Sequence, residues 1–197
     1  MEQERINSEI FYLVGALRDG CLSTEWTIVY IQKCKEWLTE VIIPKLNIVF
    51  DIKLTENKTR WQDGAWRIKF KSKRIWLGLD NLRKIVPKGK ENQKSYIQGF
   101  WDAEGGCPIV PDENKAIYIN FTQKDKQSLE DIKAILNEKF KIKTGNVRIS
   151  DKKKNVWRVC IENQDGMVKF CDEIGSLHPE KKLRLEKIRE IINLKNN

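Results

Sequence analysis

Two ten-residue runs of this chain, FYLVGALRDG at residues 11–20 and YIQGFWDAEG at residues 96–105, share one construction. Each is apolar in a helical pattern, holds an internal glycine, and ends in a carboxylate followed at once by glycine. A glycine inside a helix costs about 1 kcal/mol relative to alanine, so Gly15 and Gly99 require a packing reason. Close approach of two helices supplies one. Gly20 and Gly105 read as C-terminal caps, where a left-handed backbone is open to glycine. Asp19 and Glu104 face the negative ends of their helix dipoles, as exposed helix-end residues also do. Brought together, the two acids would repel each other and invite a divalent cation.

The rest of the chain repeats as well. Ile31-Gln32-Lys33 matches Thr122-Gln123-Lys124, Trp66-Arg67-Ile68 matches Trp157-Arg158-Val159, and both matches lie 91 residues apart. A shared register points to duplication. From acid to glutamine the first half has 13 residues and the second 19, so the second carries six more there. The predicted fold is α+β, two pseudo-symmetric αββαββα halves at 1–85 and 93–197 joined by a linker over 86–92. Helices are expected over 7–18, 33–46 and 74–84, with strands over 21–24, 25–32, 49–56 and 64–71. In the second half, helices fall at 93–104, 125–139 and 165–175, and strands at 107–111, 115–123, 144–150 and 155–162. A final amphipathic helix opens at Pro179 with Leu185, Ile188 and Ile192 on one side.

Charge narrows the partners. Lys and Arg number 37 against 28 Asp and Glu, a net charge of +9, with 40% hydrophobic residues to build a core. That balance favours polyanions, nucleic acid before membrane. The longest apolar stretch, residues 10–17, falls well short of the ~20 residues a membrane span needs. The acidic start Met1-Glu2-Gln3-Glu4 lacks a signal peptide's basic region, so an intracellular protein is expected, cytoplasmic in a prokaryote or organellar otherwise. Five cysteines without a CxxC spacing read as free thiols in a reducing compartment. His178 is the only histidine, which removes His-rich metal sites.

Strand alternation sorts the basic residues. Trp66, Ile68 and Phe70 form an apolar face, leaving Arg67, Lys69 and Lys71 on the other; Ile52 and Leu54 oppose Asp51, Lys53 and Thr55 in the same way. In the second half Arg148 and Ser150 oppose Val147 and Ile149, and Arg158 opposes Trp157 and Val159. Each single strand fits an ordinary solvated face; several of them, cationic in both halves, fit a nucleic-acid surface. Thr27, Tyr118 and Asn120 add hydrogen-bonding side chains, for base edges or for cross-strand pairing. Gln32 and Gln123 stand at strand-to-helix junctions, to orient a phosphate or to satisfy the helix start. Lys88 and Lys90 in the linker at the end of the first half, and Lys181 and Lys182 after Pro179 in the second, stand where they would neutralise developing charge or simply be solvated. Asp102 falls on another helical face from Glu104 and reads as structural. Two carboxylates beside a basic face suit metal-assisted phosphodiester hydrolysis with Mg²⁺ or Mn²⁺.

The paired glycine–acid segments resemble the LAGLIDADG homing endonucleases, in the single-chain version with two motifs. Residues 96–105 match closely; in the first segment Gly15 lies one residue nearer the acid, so that the family's glycine position falls on Val14. The resemblance implies two four-stranded antiparallel sheets forming a saddle, with Asp19 and Glu104, beside Gly20 and Gly105, as the metal site. It implies Gln32 and Gln123 beside the scissile phosphates, with Lys90 and Lys182 as the basic residues of the site. It further implies a monomer that cuts both strands of a long, specific DNA site, encoded by an intron. A maturase of the same fold that binds intron RNA, and a DNA-binding protein without cleavage, are the alternatives.

Overall fold

The computed structural model describes residues 2–18, 20–114 and 116–196, and the chain divides into two compact units. The first is residues 1–103 with 177–179; the second is residues 104–176 with 180–197. Packing therefore divides the chain after residue 103 rather than at the predicted linker, because helix α4 (Lys90–Glu104) lies against helix α1 (Glu2–Ala16). A Cβ on Gly15 would fall 2.2 Å from the carbonyl oxygen of Tyr96 and 2.7 Å from the nitrogen of Phe100. One on Gly99 would fall 2.1 Å from the carbonyl oxygen of Tyr12 and 3.1 Å from the nitrogen of Ala16. Each glycine thus meets the residue three before, and the residue one after, the other glycine. Gly15, not Val14, is at the crossing. The shorter first segment is absorbed by ending α1 at Ala16, with residues 17 and 18 in a turn.

The first unit holds a sheet of β1 (Cys21–Ser23), β2 (Thr27–Gln32), β3 (Thr59–Gln62) and β4 (Ala65–Lys71), all antiparallel in the order β1-β2-β4-β3. Asp63 and Gly64, with φ of 50° and 77°, close the β3–β4 hairpin as a two-residue turn. The strand expected over 49–56 does not form. A π-helical segment (Trp37–Ile42) runs into α2 (Ile43–Phe50), and Asp51 ends the helix in the left-handed region. Pro44 cannot donate to the preceding turn, and the π segment lies immediately upstream of it. Beyond the cap, the Asn47 amide accepts from the nitrogen of Leu54 at 2.8 Å and donates to its carbonyl at 2.9 Å. A side chain thus satisfies backbone that a strand partner would otherwise serve. Helix α3 (Lys73–Leu82) follows β4, capped by Ser72.

The second unit repeats the topology with β5 (Gly105–Gly106), β6 (Ile119–Gln123), β7 (Arg148–Asp151) and β8 (Val156–Ile161) in the order β5-β6-β8-β7. The strand predicted over 107–111 does not form: the two residues of β5 lie just before it, and the extra residues of this half form a loop with a 3-10 turn (Pro111–Glu113). Helix α5 (Lys126–Lys139) ends as α2 does: Lys141 has φ 54°, and Asn137 accepts from the nitrogen of Thr144 at 3.1 Å. The predicted strand at 144–150 therefore starts only at Arg148. Helix α6 (Gln164–Lys169) passes into a π segment (Phe170–Ile174), and α7 (Pro179–Asn196) buries Leu185, Ile188 and Ile192 as its spacing predicts. Among the described residues no helix is long and apolar enough to cross a membrane.

Candidate active site and nucleic-acid interface

Glu104 is the last residue of α4, and the chain passes from it directly into β5. Gln123, the last residue of β6, donates from Nε2 to Glu104 Oε1 at 3.4 Å, while its own Oε1 accepts from the nitrogen of Lys124 at 2.8 Å. Gln32 ends β2 in the same way: Oε1 accepts from the nitrogen of Lys33 at 2.8 Å, and Nε2 donates to the carbonyl of Ala103 at 3.3 Å. Each amide satisfies the local backbone with its oxygen, which turns its NH₂ toward the C-terminal end of α4. The oxygen of each amide thus serves the backbone at the start of the following segment, as the structural reading of the glutamines requires. Thr122 Oγ1 also donates to the carbonyl of Glu104, at 3.0 Å.

Several expectations need correction. Gly20 and Gly105 are not left-handed caps. A Cβ on Gly20 would fall 2.2 Å from the carbonyl of Val29, so close approach accounts for that glycine, and Gly105 pairs with Phe121 in β5. Lys90 opens α4, fourteen residues from Glu104; at 1.5 Å per residue that is about 21 Å, too far to serve the acid. Lys182 is exposed on α7, whereas its neighbour Lys181 donates from Nζ to the carbonyl of Gly105 at 2.7 Å. Asp19 lies outside the described residues. Asp102 is fully buried and accepts from Tyr12 Oη at 2.6 Å and the nitrogen of Leu177 at 2.9 Å, as its structural reading requires.

At the end of α4 the half-buried carboxylate of Glu104 and backbone carbonyl oxygens are hard donors of the kind a divalent cation takes, and among the described residues no cluster of three or more His, Cys, Asp or Glu forms. Cys107, two residues beyond Gly105, is pushed up to about 11 by burial and so stays a thiol at neutral pH. Burial raises the Cys171 thiol to about 12 as well, and none of the five cysteines is in a disulfide.

The cationic faces take shape from strand register. Arg67, Lys69 and Lys71 on β4 pair with Ile31, Val29 and Thr27 on β2 and share one face. Thr27 and Asn120 are only 4% and 7% exposed; they belong to the pairing of the strands and offer no surface to a base edge. Lys53 and Thr55 lie in the segment after α2, off the sheet, and Tyr118 precedes β6. Arg148 and Arg158 are opposite one another, and Ser150 sits at a register shift in β7. Arg60, opposite Arg67, escapes a reading by alternation alone; the hairpin signal of Asp63-Gly64 is what could find it. The register also sets Gln32 opposite Trp66 and Gln123 opposite Trp157, with Lys35 Nζ 5.3 Å from the first indole and Lys126 Nζ 4.9 Å from the second. These two lysines are 91 residues apart, the same period that revealed the duplication.

Comparison with known proteins agrees with this architecture. Residues 91–175 match the LAGLIDADG-like domain family. Over 201 residues the chain is 28% identical to a protein named Homing endonuclease I-ApeI from Aeropyrum pernix, covering 91% of this chain and 86% of that one. The crystal structure of I-DmoI in complex with DNA and Ca superposes with a TM-score of 0.74 at 18% identity, over 92% of this chain and 98% of that one. I-DmoI in complex with DNA and Mn gives 0.70 at 20% identity, over 86% and 97%. At such identities the structural likeness is one of fold. By domain match over residues 91–175, by sequence along most of its length and by the topology of both sheets, the chain is similar to LAGLIDADG-like domains and to a protein named as a homing endonuclease.

Proposed function

We propose that the protein is a site-specific DNA endonuclease that hydrolyses phosphodiesters in both strands of a long target with Mg²⁺ or Mn²⁺, acting as a monomer encoded by an intron. The observation that carries the reading is the Gln123 amide on the carboxylate of Glu104, at the end of a strand whose sheet sets Arg148 opposite Arg158. Asp19 and Glu104 are its metal-binding carboxylates. When bound, the divalent cation supplies a Lewis acid at the scissile phosphate and lowers the pKa of its water. Gln32 and Gln123, locked by the following backbone N–H, orient the attacking water and the phosphate. That water's oxygen forms the new bond to phosphorus while the bond to the 3′ oxygen breaks, leaving a 3′ hydroxyl and a 5′ phosphate. Lys181, fixed on the carbonyl of Gly105, adds positive charge next to Glu104. Arg67, Lys69, Lys71, Arg148 and Arg158 hold the duplex.

The test is Mg²⁺-dependent cleavage of a plasmid library carrying randomised sites. The wild-type chain is expected to linearise selected members. Glu104→Gln and Asp19→Asn are each expected to stop cleavage while duplex binding remains. Cleavage that survives both substitutions, or that persists in EDTA, would overturn the proposal.

A further inference from the structure

Gln32 and Gln123 each end a central strand, and in each sheet the residue directly opposite is a tryptophan, Trp66 on β4 and Trp157 on β8. Side chains paired across antiparallel strands share one face, with Cβ atoms about 4.5–5.5 Å apart. Each indole is therefore the cross-strand neighbour of a glutamine side chain. A lysine lies beside each ring as well: Lys35 Nζ is 5.3 Å from the Trp66 centroid, and Lys126 Nζ is 4.9 Å from that of Trp157. Both lysines follow their glutamine by three residues, in the runs Gln32-Lys33-Cys34-Lys35 and Gln123-Lys124-Asp125-Lys126. Each also opens the helical segment after the strand, where the macrodipole disfavours a cation. Their acid partners, Glu56 at 4.0 Å and Glu130 at 3.9 Å, stand at the long end of an ion pair, so the aromatic face is what offsets that cost. On the outer strands Trp61 stands opposite Trp66, with ring centroids 5.4 Å apart, and Ile149 stands opposite Trp157.

We infer that Trp66 and Trp157 are positioning residues, each holding the glutamine of its own half in the orientation that serves one scissile phosphate; the inference rests on the reading of the chain as a metal-dependent DNA endonuclease. Gln32 Oε1 and Gln123 Oε1 each accept from the next backbone nitrogen at 2.8 Å, and that hydrogen bond fixes which way the NH₂ faces. Both glutamines are only half-buried, so water competes for the same groups, and an amide that loses the bond is free to turn. A half-buried indole on the opposite strand removes water from one side, and a hydrogen bond shielded from water is stronger. It also closes off glutamine rotamers directed across the ladder, so less freedom is left to lose when the phosphate arrives. The lysine and the outer-strand side chain in turn limit the ring itself.

The experiment is single-turnover cleavage by the full chain with Mg²⁺, on a duplex selected from the site library and labelled so that each strand is followed separately. Trp66→Leu is expected to slow one strand about tenfold or more and to leave the other within about twofold, and Trp157→Leu to do the reverse, so that each variant nicks before it cuts through. The phenylalanine variants keep a flat face for the lysine and are expected to lose only about threefold, on the same strand. In a Gln32→Ala or Gln123→Ala background the leucine substitution of the same half is expected to change the rate by less than about twofold, because both residues act through one amide. Trp26→Leu is the control: Lys73 Nζ lies 5.2 Å from the Trp26 ring, but Trp26 is in the turn between β1 and β2 with no glutamine opposite, and both strands are expected to keep the wild-type rate. Melting curves verify folding, and a leucine variant that does not fold is judged by its phenylalanine counterpart. Variants that slow both strands alike, slow neither, or lose further rate in the alanine backgrounds overturn the inference and leave the endonuclease reading standing. A wild type that cleaves no duplex of the library overturns both.

Discussion

The hydroxyl of Tyr12 donates to the carboxylate of Asp102 at 2.6 Å, and the equivalent place in the repeat is filled with the opposite charge: Arg18 donates to Tyr96 Oη at 2.8 Å. Counted from the crossing glycines, both tyrosines stand three residues before and both partners three residues after. The duplicated helices have kept the tyrosine and exchanged its partner. Trp37 Nε1 donates to Tyr12 Oη at 2.9 Å, so helix 37–42, α1 and α4 are joined through one buried chain of hydrogen bonds. Arg18 also lies 5.5 Å from the ring centroid of Phe100, which lets its cation be half-buried.

Tyr12→Phe takes a donor from a fully buried carboxylate, and the expected loss is about 1–3 kcal/mol. In a chain of this size that lowers the Tm by about 2–4 °C per kcal/mol. Burial, then the charge of Asp102, holds the Tyr12 phenol well above its ordinary pKa, and burial raises Tyr30 likewise. A raised pKa means that this stability is complete below the unfolded value near 10 and is lost as pH rises above it. Melting curves between about pH 9 and about pH 11 should therefore fall more steeply for wild type than for Tyr12→Phe. Equal slopes would contradict the assignment.

Glycines of α1, α3 and α4 should respond in opposite senses. Gly15→Ala and Gly99→Ala drive a methyl into backbone at 2.2 and 2.1 Å, so each should cost more than about 3 kcal/mol or leave the protein insoluble. Gly78, within α3, has open space where a methyl would stand, with no atom within 4 Å, and Gly78→Ala should stabilise by about 1 kcal/mol. Chemical denaturation of the three variants checks the contrast.

Gln123→Ala removes the amide that holds Glu104, and Gln32→Ala its counterpart at Ala103. Single-turnover cleavage is expected to fall about ten- to a hundredfold for Gln123→Ala, with duplex affinity kept within a factor of about two. Loss of affinity in parallel with rate would mean that the amide serves binding instead.

Asn47→Ala and Asn137→Ala each open the clasp behind a left-handed helix end. Each is expected to lower stability by about 1–3 kcal/mol, read from the urea midpoint, without altering DNA specificity. A midpoint unchanged in both variants would show that solvent serves these backbone groups equally well.

Much of the architecture is legible in the order of residues. The duplication, the order of elements and the crossing helices follow from spacing and periodicity, because a glycine inside an apolar helix and a 91-residue register each have few explanations. Period-two alternation misleads at 49–56, where Ile52 and Leu54 alternate with polar residues but follow a helix cap. The Asn47 amide, seven residues before Leu54, supplies the hydrogen bonds that would otherwise have demanded a strand. Asn137 and Thr144 carry the same spacing in the second half, a repeat visible only once its purpose is known.

What the amino-acid order determined by itself is therefore the twofold plan: two glycine–acid helices, two sheets of one topology, a glutamine at the end of a central strand in each. These depend on local pattern, which neighbours in sequence carry. The tertiary structure alone decided that Lys181 rather than Lys182 meets Gly105, that Thr27 and Asn120 are covered, and that arginines stand opposite arginines. Rotation of a helix, burial of a strand face and register between strands are set by what packs against them, and that information lies in distant parts of the chain.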